Sequence, residues 1–193
     1  SSAASDVYKR QDPYSYREQI VQPKLIILGT NDGFWTLDAL NLYWDGLAGP
    51  KYIVYVPNAD HDLAKDFRRI LGGLRALHRH AGGEAPMPQL EWTYAAEGVA
   101  AMTLTVRPAS KDARVLLWTA ESPTRDFREA KWSSVPLPVG DQDVATARLD
   151  RPAKGYRAMF AEVVYGGGLL PLHLSTQITV LDPQPVSYTH LRA

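Results

Sequence analysis

The spacing of apolar residues changes character several times along this chain. Residues 24–28 form a short, mostly apolar run between Pro23 and Gly29. A continuous run of that length, bounded by breakers, predicts a strand buried on both faces. After a loop of Gly29, Thr30, Asn31, Asp32 and Gly33 the spacing becomes helical. Leu37, Leu40, Tyr43, Trp44 and Leu47 share one stripe, with Thr36 placed to cap its start and Gly46, Gly49 and Pro50 to end it. Residues 51–57 are a second β-rich run, followed by the loop Asn58-Ala59-Asp60-His61-Asp62. A longer helical pattern comes next, through Leu63, Phe67, Ile70, Leu71, Leu74 and Leu77, and Gly82 and Gly83 close it.

Strand, loop, helix, strand, loop, helix predicts a parallel sheet covered by helices, a βαβα unit over residues 12–83. Beyond Gly83 the pattern changes again. A Pro-rich linker, residues 84–89, leads into segments of strand character at 90–96, 100–108, 113–121, 130–138, 144–150, 155–165 and 172–182. Several alternate with period two; Met102, Leu104 and Val106 line one face. About seven short strands in ~100 residues predict a β-sandwich of the immunoglobulin or fibronectin kind over residues 84–184. The expected fold class is therefore α/β plus all-β. Residues 1–11 and 185–193 carry neither periodicity and resemble peptides translated from sequencing-adapter DNA. They are expected to be non-native ends around an internal piece of a longer protein.

Composition narrows the function. Lys plus Arg and Asp plus Glu each number 21, so the net charge is zero. A general nucleic-acid binder needs a basic surface to replace phosphate counterions, so no nucleic-acid partner is expected. No apolar run approaches the ~20 residues of a membrane helix, so no membrane span is expected. The absence of cysteine excludes disulfides, thiolate metal sites and cysteine nucleophiles.

In parallel sheets the functional residues sit in loops beyond the carboxyl ends of the strands. Asp32 and His61 both occupy that position. An imidazole with a carboxylate on one nitrogen is held in one tautomer and becomes a competent general base. In α/β-hydrolases the triad runs Ser, then Asp or Glu, then His, and the Asp32-to-His61 order agrees. Taken alone, the pattern leaves a second reading open, in which Asp32 caps a turn and His61 caps the following helix. Asp60, His61 and Asp62 invite a metal, but neighbours on one loop rarely all turn inward, so neither a metal nor any other cofactor is expected. Phe34 and Trp35, directly behind the acid, are candidate walls of a substrate pocket. Arg125 to Arg128 are expected to make structural ion pairs and cap a loop.

Four stretches carry a family resemblance: "DPYSYREQI", the run from Pro23 to Leu63, "WTAESPTRDFREAKW" and "GYRAMFAEVVY". They resemble the C-terminal part of the PhoPQ-activated pathogenicity-related protein family, to which the autocrine proliferation repressors are similar. The Gly-Thr-x-Asp loop, the Trp-Asp-x-Leu-x-Gly-Pro-Lys turn and the Pro-Asn-x-x-His loop occur in order. The resemblance implies an α/β-hydrolase followed by a β-rich domain, exported to the periplasm or beyond, with Asp32 as triad acid and His61 as base. Ester or peptide hydrolysis is the implied chemistry.

One part of that machinery is absent. A hydrolase needs a G-x-S-x-G elbow upstream of the acid. The serines before Asp32 are Ser1, Ser2, Ser5 and Ser15, and none stands in such a setting. No nucleophile is expected within this chain, which should be inactive alone, and its first strand should lack an inner neighbour. A reading from another class is a non-catalytic binding or signalling protein, in which a degenerate hydrolase scaffold presents the sandwich to a protein or glycan.

Overall fold

The computed structural model describes residues 11–183. Both expected non-native ends, Gln11 apart, lie outside the described residues. Strands β1 (Lys24–Gly29) and β2 (Lys51–Val56) pair in parallel, from Lys24 opposite Lys51 to Gly29 opposite Val56. One α-helix, α1 (Phe67–Ala81), packs on them. The remaining strands are β3 (Glu91–Glu97), β4 (Ala101–Arg107), β5 (Arg114–Ser122), β6 (Ser133–Pro136), β7 (Ala145–Asp150), β8 (Tyr156–Tyr165), β9 (Leu172–Ser175) and β10 (Thr179–Leu181). Strands β3, β4 and β7 make one antiparallel sheet, in the order β3-β4-β7. The second runs β10-β8-β5-β6, with β9 also on β8. Leu104, Val106, Val115, Leu117, Met159, Ala161 and Val163 fill the space between the two sheets. Mostly β, with several sheets and the helix α1, the described residues agree with α/β plus a sandwich at that coarse level. Among the described residues no helix is long and apolar enough to cross a membrane.

Several elements differ from the sequence pattern, each for a physical reason. Strand β1, expected to be buried on both faces, is only part-buried from Lys24 to Leu28, since among the described residues it pairs with β2 alone. The stripe from Leu37 to Leu47 is not an α-helix. It is a 3₁₀ turn, Ala39–Leu42, within a chain of i to i−3 bonds such as Asn41 N–H to Asp38 O and Gly46 N–H to Tyr43 O. Asp38, Asn41, Asp45 and Gly46 are poor helix formers. Two of them are also engaged elsewhere: Asn41 donates to Ile178 O at 2.8 Å and Asp38 pairs with Arg125 at 2.7 Å. The stripe's apolar residues still point inward, with Leu40 and Trp44 buried.

Helix α1 starts at Phe67 rather than Leu63, because the Asp66 side chain caps it by accepting the Arg69 N–H. It is also rotated. Arg69, Gly72 and Gly73 face inward, while Phe67, Leu71 and Leu74 are exposed. The glycine pair sets this orientation. A Cβ at Gly72 would lie 2.1 Å from the Pro171 carbonyl oxygen, and one at Gly73 2.9 Å from a Leu25 methyl. Only that face lets the helix come so close.

The last strand segment, 172–182, is split. β9 places Ser175 opposite Glu162, whereas β10 places Thr179 opposite Met159. The edge strand has gained one residue across that gap, which is a β-bulge. Thr176 fills it, its N–H donating to Ala161 O and its hydroxyl accepting the Ala161 N–H.

Strand β8 explains how the halves meet. Met159, Ala161 and Val163 face the opposing sheet, while Ala158 and Phe160 face Leu40, Trp44, Ile53 and Tyr55 of the α/β part. Glu162 lies on this second face and is completely buried. Its oxygens accept from Arg69 Nε at 2.7 Å, Arg69 Nη2 at 3.3 Å and Trp118 Nε1 at 2.9 Å, and Oε1 lies 2.7 Å from His173 Nδ1. Burial pushes this carboxyl up, but His173, Arg69 and the Trp118 indole outweigh it and hold it below the usual carboxylate range. Nearby, Ser175 Oγ accepts the Tyr55 N–H at 3.0 Å, tying β2 to the sandwich edge.

Glu162→Gln leaves the buried Arg69 charge with only the partly exposed Asp66 carboxylate, 3.1 Å from Nη1, as counter-ion. It should lower the unfolding free energy by about 3–5 kcal/mol, measured by urea titration; a loss under about 1 kcal/mol would contradict the account. A lowered folded pKa makes the contribution full above the ordinary Glu value of about 4.3 and removes it as pH falls through the folded value. The drop in urea midpoint on acidification should therefore be smaller in the variant than in the parent.

Candidate active site

The loops after β1 and β2 touch along their length. Thr30 N–H donates to Val56 O at 3.2 Å, Asn31 N–H to Ala59 O at 2.9 Å and Asn58 N–H to Thr30 Oγ1 at 2.8 Å. Gly29 makes this approach possible: a Cβ there would lie 2.4 Å from the carbonyl oxygens of both Ala59 and Asp60. Asn58 has a positive φ of 59°, a conformation that Asn tolerates, and it turns the second loop back toward the first.

The laced loops bring the two predicted site residues together. Asp32 Oδ2 lies 2.8 Å from His61 Nδ1. The Asp32 side chain is 8% exposed and that of His61 57%. Asp32 Oδ1 accepts the Phe34 N–H at 2.8 Å. The carboxylate therefore spends one oxygen on its own loop, which fixes its plane, and offers the other to the imidazole. With Nδ1 engaged, the proton-accepting side of the ring is Nε2, on a largely open face. Burial opposes ionisation of Asp32. The His61 ring, its charge when protonated, and the N–H groups of Phe34 and Trp35 outweigh burial and hold the carboxyl below its usual range.

Phe34 meets the His61 ring edge-on, centroids 4.9 Å apart, and is 79% exposed. Trp35 is also exposed. Both line a cavity of about 1470 Å³ that includes Asp32, Ile26, Leu28 and Leu40. The cavity lies along β1, which among the described residues pairs only with β2. Asp60 and Asp62 serve the loop backbone instead, accepting the Asp62 and Ala64 N–H groups at 3.3 and 2.8 Å. Among the described residues no group of three or more His, Cys, Asp or Glu is arranged to hold a metal ion.

The sequence pattern did not single out Asn31 and Asn58. Asn31 Nδ2 lies within donating distance of the carbonyls of Phe127, Arg128 and Ala130, at 3.2, 2.9 and 2.7 Å. Asn58 donates to Trp132 O at 3.1 Å and accepts the Trp132 N–H at 2.8 Å. Their partners all lie in the β5–β6 loop of the sandwich. Asparagines in conspicuous turn positions beside the acid and the base were the available signal. Turn chemistry alone accounts for such residues, so nothing pointed to a partner some 70 to 100 positions away. Arg125 and Arg128 make the expected structural pairs, Arg125 with Asp38 and Asp182, and Arg128 with Asp126.

Comparison with known families matches residues 1–128 to the PhoPQ-activated pathogenicity-related protein family. The chain belongs to this family. The matched span holds both laced loops, the helix and the first half of the β5–β6 loop. Autocrine proliferation repressor protein A of Dictyostelium discoideum is 29% identical over 175 residues, covering 80% of this chain and 35% of that protein. The chain thus spans about a third of the length of this curated relative. No solved structure matches.

Replacing His61 by Ala removes the main group holding the Asp32 carboxyl down. Its titration, followed by carboxyl ¹³C NMR, should move up toward or above the ordinary Asp value of about 3.9. The stability that the depressed carboxyl supplies above that value, and loses as pH falls, should shrink with it. An unchanged Asp32 titration would show that the pair does not form in solution.

Proposed function

We propose that this chain supplies the acid and the base of a serine-hydrolase triad acting on esters or peptides, with Asp32 orienting His61. The observation that carries the reading is the 2.8 Å contact between Asp32 Oδ2 and His61 Nδ1, with the carboxylate buried and the imidazole open. A carboxylate on Nδ1 fixes the tautomer that leaves Nε2 unprotonated. It also stabilises the imidazolium formed when Nε2 takes a proton from a nucleophile. In this reading the serine and the oxyanion donors belong to a part of the protein outside this sequence, and the chain is inactive alone. Family membership supports the reading, as does the chain-order agreement of acid before base. Phe34 and Trp35 are proposed as walls of the substrate site, and export to the periplasm or the cell exterior belongs to the same proposal.

The test uses a longer protein that contains this segment, assayed with p-nitrophenyl esters and peptide amides. His61→Ala and Asp32→Asn should each lower kcat by about 10²–10⁴. A serine-directed fluorophosphonate should label the parent and label the His61→Ala protein much more slowly. Turnover unchanged in His61→Ala would refute the assignment.

A further inference from the structure

An Asp–His pair on two surface loops does not hold itself in place. His61 is more than half exposed, and ion pairs of that kind contribute little once side-chain ordering and screening are counted. Something less exposed must fix the separation of the two loops. The bonds between the loops set their mutual register, but all of them arise within residues 29–59 and can move as one with that segment.

The external anchor is the β5–β6 loop of the sandwich. Asn31, adjacent to the acid, reaches three of its carbonyls, and Asn58, three positions before the base, makes a reciprocal pair with the Trp132 backbone. The pairs are long-range in sequence, with 96 to 99 positions between partners for Asn31 and 74 for Asn58. The two asparagines are also linked: Thr30 Oγ1 accepts the Asn58 N–H and donates to Asn31 Oδ1 at 2.9 Å. The β5–β6 loop is itself rigidly held. Phe127 and Trp132 are buried, Trp132 packs on Phe160 with centroids 5.4 Å apart, and Arg125 bridges Asp38 and Asp182. Phe127 and Trp132 root this loop in the packed core, while most of its other residues are exposed.

We infer that Asn31 and Asn58 are positioning residues, through which the sandwich's β5–β6 loop sets the separation of Asp32 and His61. The inference rests on the hydrolase reading for its catalytic meaning. It assigns the sandwich a place in the active site and gives the acid and base loops one shared ruler.

The test uses the full chain and reads the His61 Nδ1 proton by NMR with ¹⁵N-histidine labelling, the resonance being assigned by its loss in His61→Ala. Asn31→Asp keeps the side-chain shape and removes the donors to the three carbonyls. Asn58→Gly keeps the freedom to adopt positive φ and removes the Trp132 pair. In the parent the Nδ1 proton should be hydrogen-bonded and slow to exchange. In each variant it should exchange faster by about tenfold or more, while the amide resonances of β4, β5 and β8 stay in place. Exchange within about threefold of the parent in both variants would overturn the inference. A variant that loses the sandwich resonances as well would assign its asparagine to folding, which overturns the positioning role. Absence of a protected Nδ1 proton from the unsubstituted chain would strike the Asp32–His61 pair itself, and the hydrolase reading with it.

Discussion

Glu162 sits on the central strand of the sandwich with no exposure, and its two oxygens are met by groups from three other elements: Arg69 of α1, Trp118 of β5 and His173 of β9. A carboxylate buried this way is costly unless its charge is paired and its lone pairs are filled. Those partners converge only when the helix lies against the sandwich edge. The network therefore specifies one docking of the α/β part more than it stabilises the fold. The Gly72–Gly73 pair completes the constraint from the other side, since it admits the close approach that Arg69 needs.

That docking has consequences at the loops. Helix α1 begins a few residues after His61, so fixing the helix limits where the His61 loop can go. Tyr55, the penultimate residue of β2, is tied to Ser175. The face of β2 that carries Ile53 and Tyr55 packs with Phe127, Trp132 and Phe160, the same aromatic group that supports the β5–β6 loop. Core packing, the buried ion pair and the asparagine anchors thus form one continuous structure. Its exposed product is a buried carboxylate facing an open imidazole. The sandwich and the α/β part share one hydrophobic cluster, while the cluster between the two sheets belongs to the sandwich alone.

Much of this was legible in the sequence where one local rule decides the outcome. The parallel β1–β2 pair, the position of Asp32 and His61 at strand ends, and the strand segments of the sandwich all follow from run length, periodicity and turn residues. The rest depends on partners far away in the chain. Residues 37–47 have a helical stripe, yet Asn41 and Asp38 find their partners at Ile178 and Arg125, and the segment settles into 3₁₀ turns. Leu71 and Leu74 read as core by spacing, but the two glycines between them and Arg69 dictate the docked face. Glu162 interrupts an apolar strand and looks out of place until Arg69 is seen opposite it. Asn31 and Asn58 read as turn residues, and their second role appears only when the β5–β6 loop is brought beside them.

The central claim is that Asp32 and His61 are two members of a triad whose third member lies elsewhere in the protein. A crystal structure of a longer protein containing this segment tests it most directly. The account predicts a serine Oγ within about 3 Å of His61 Nε2, with Asp32 still on Nδ1. A structure in which Nε2 faces no serine, or in which another segment separates Asp32 from His61, would contradict it.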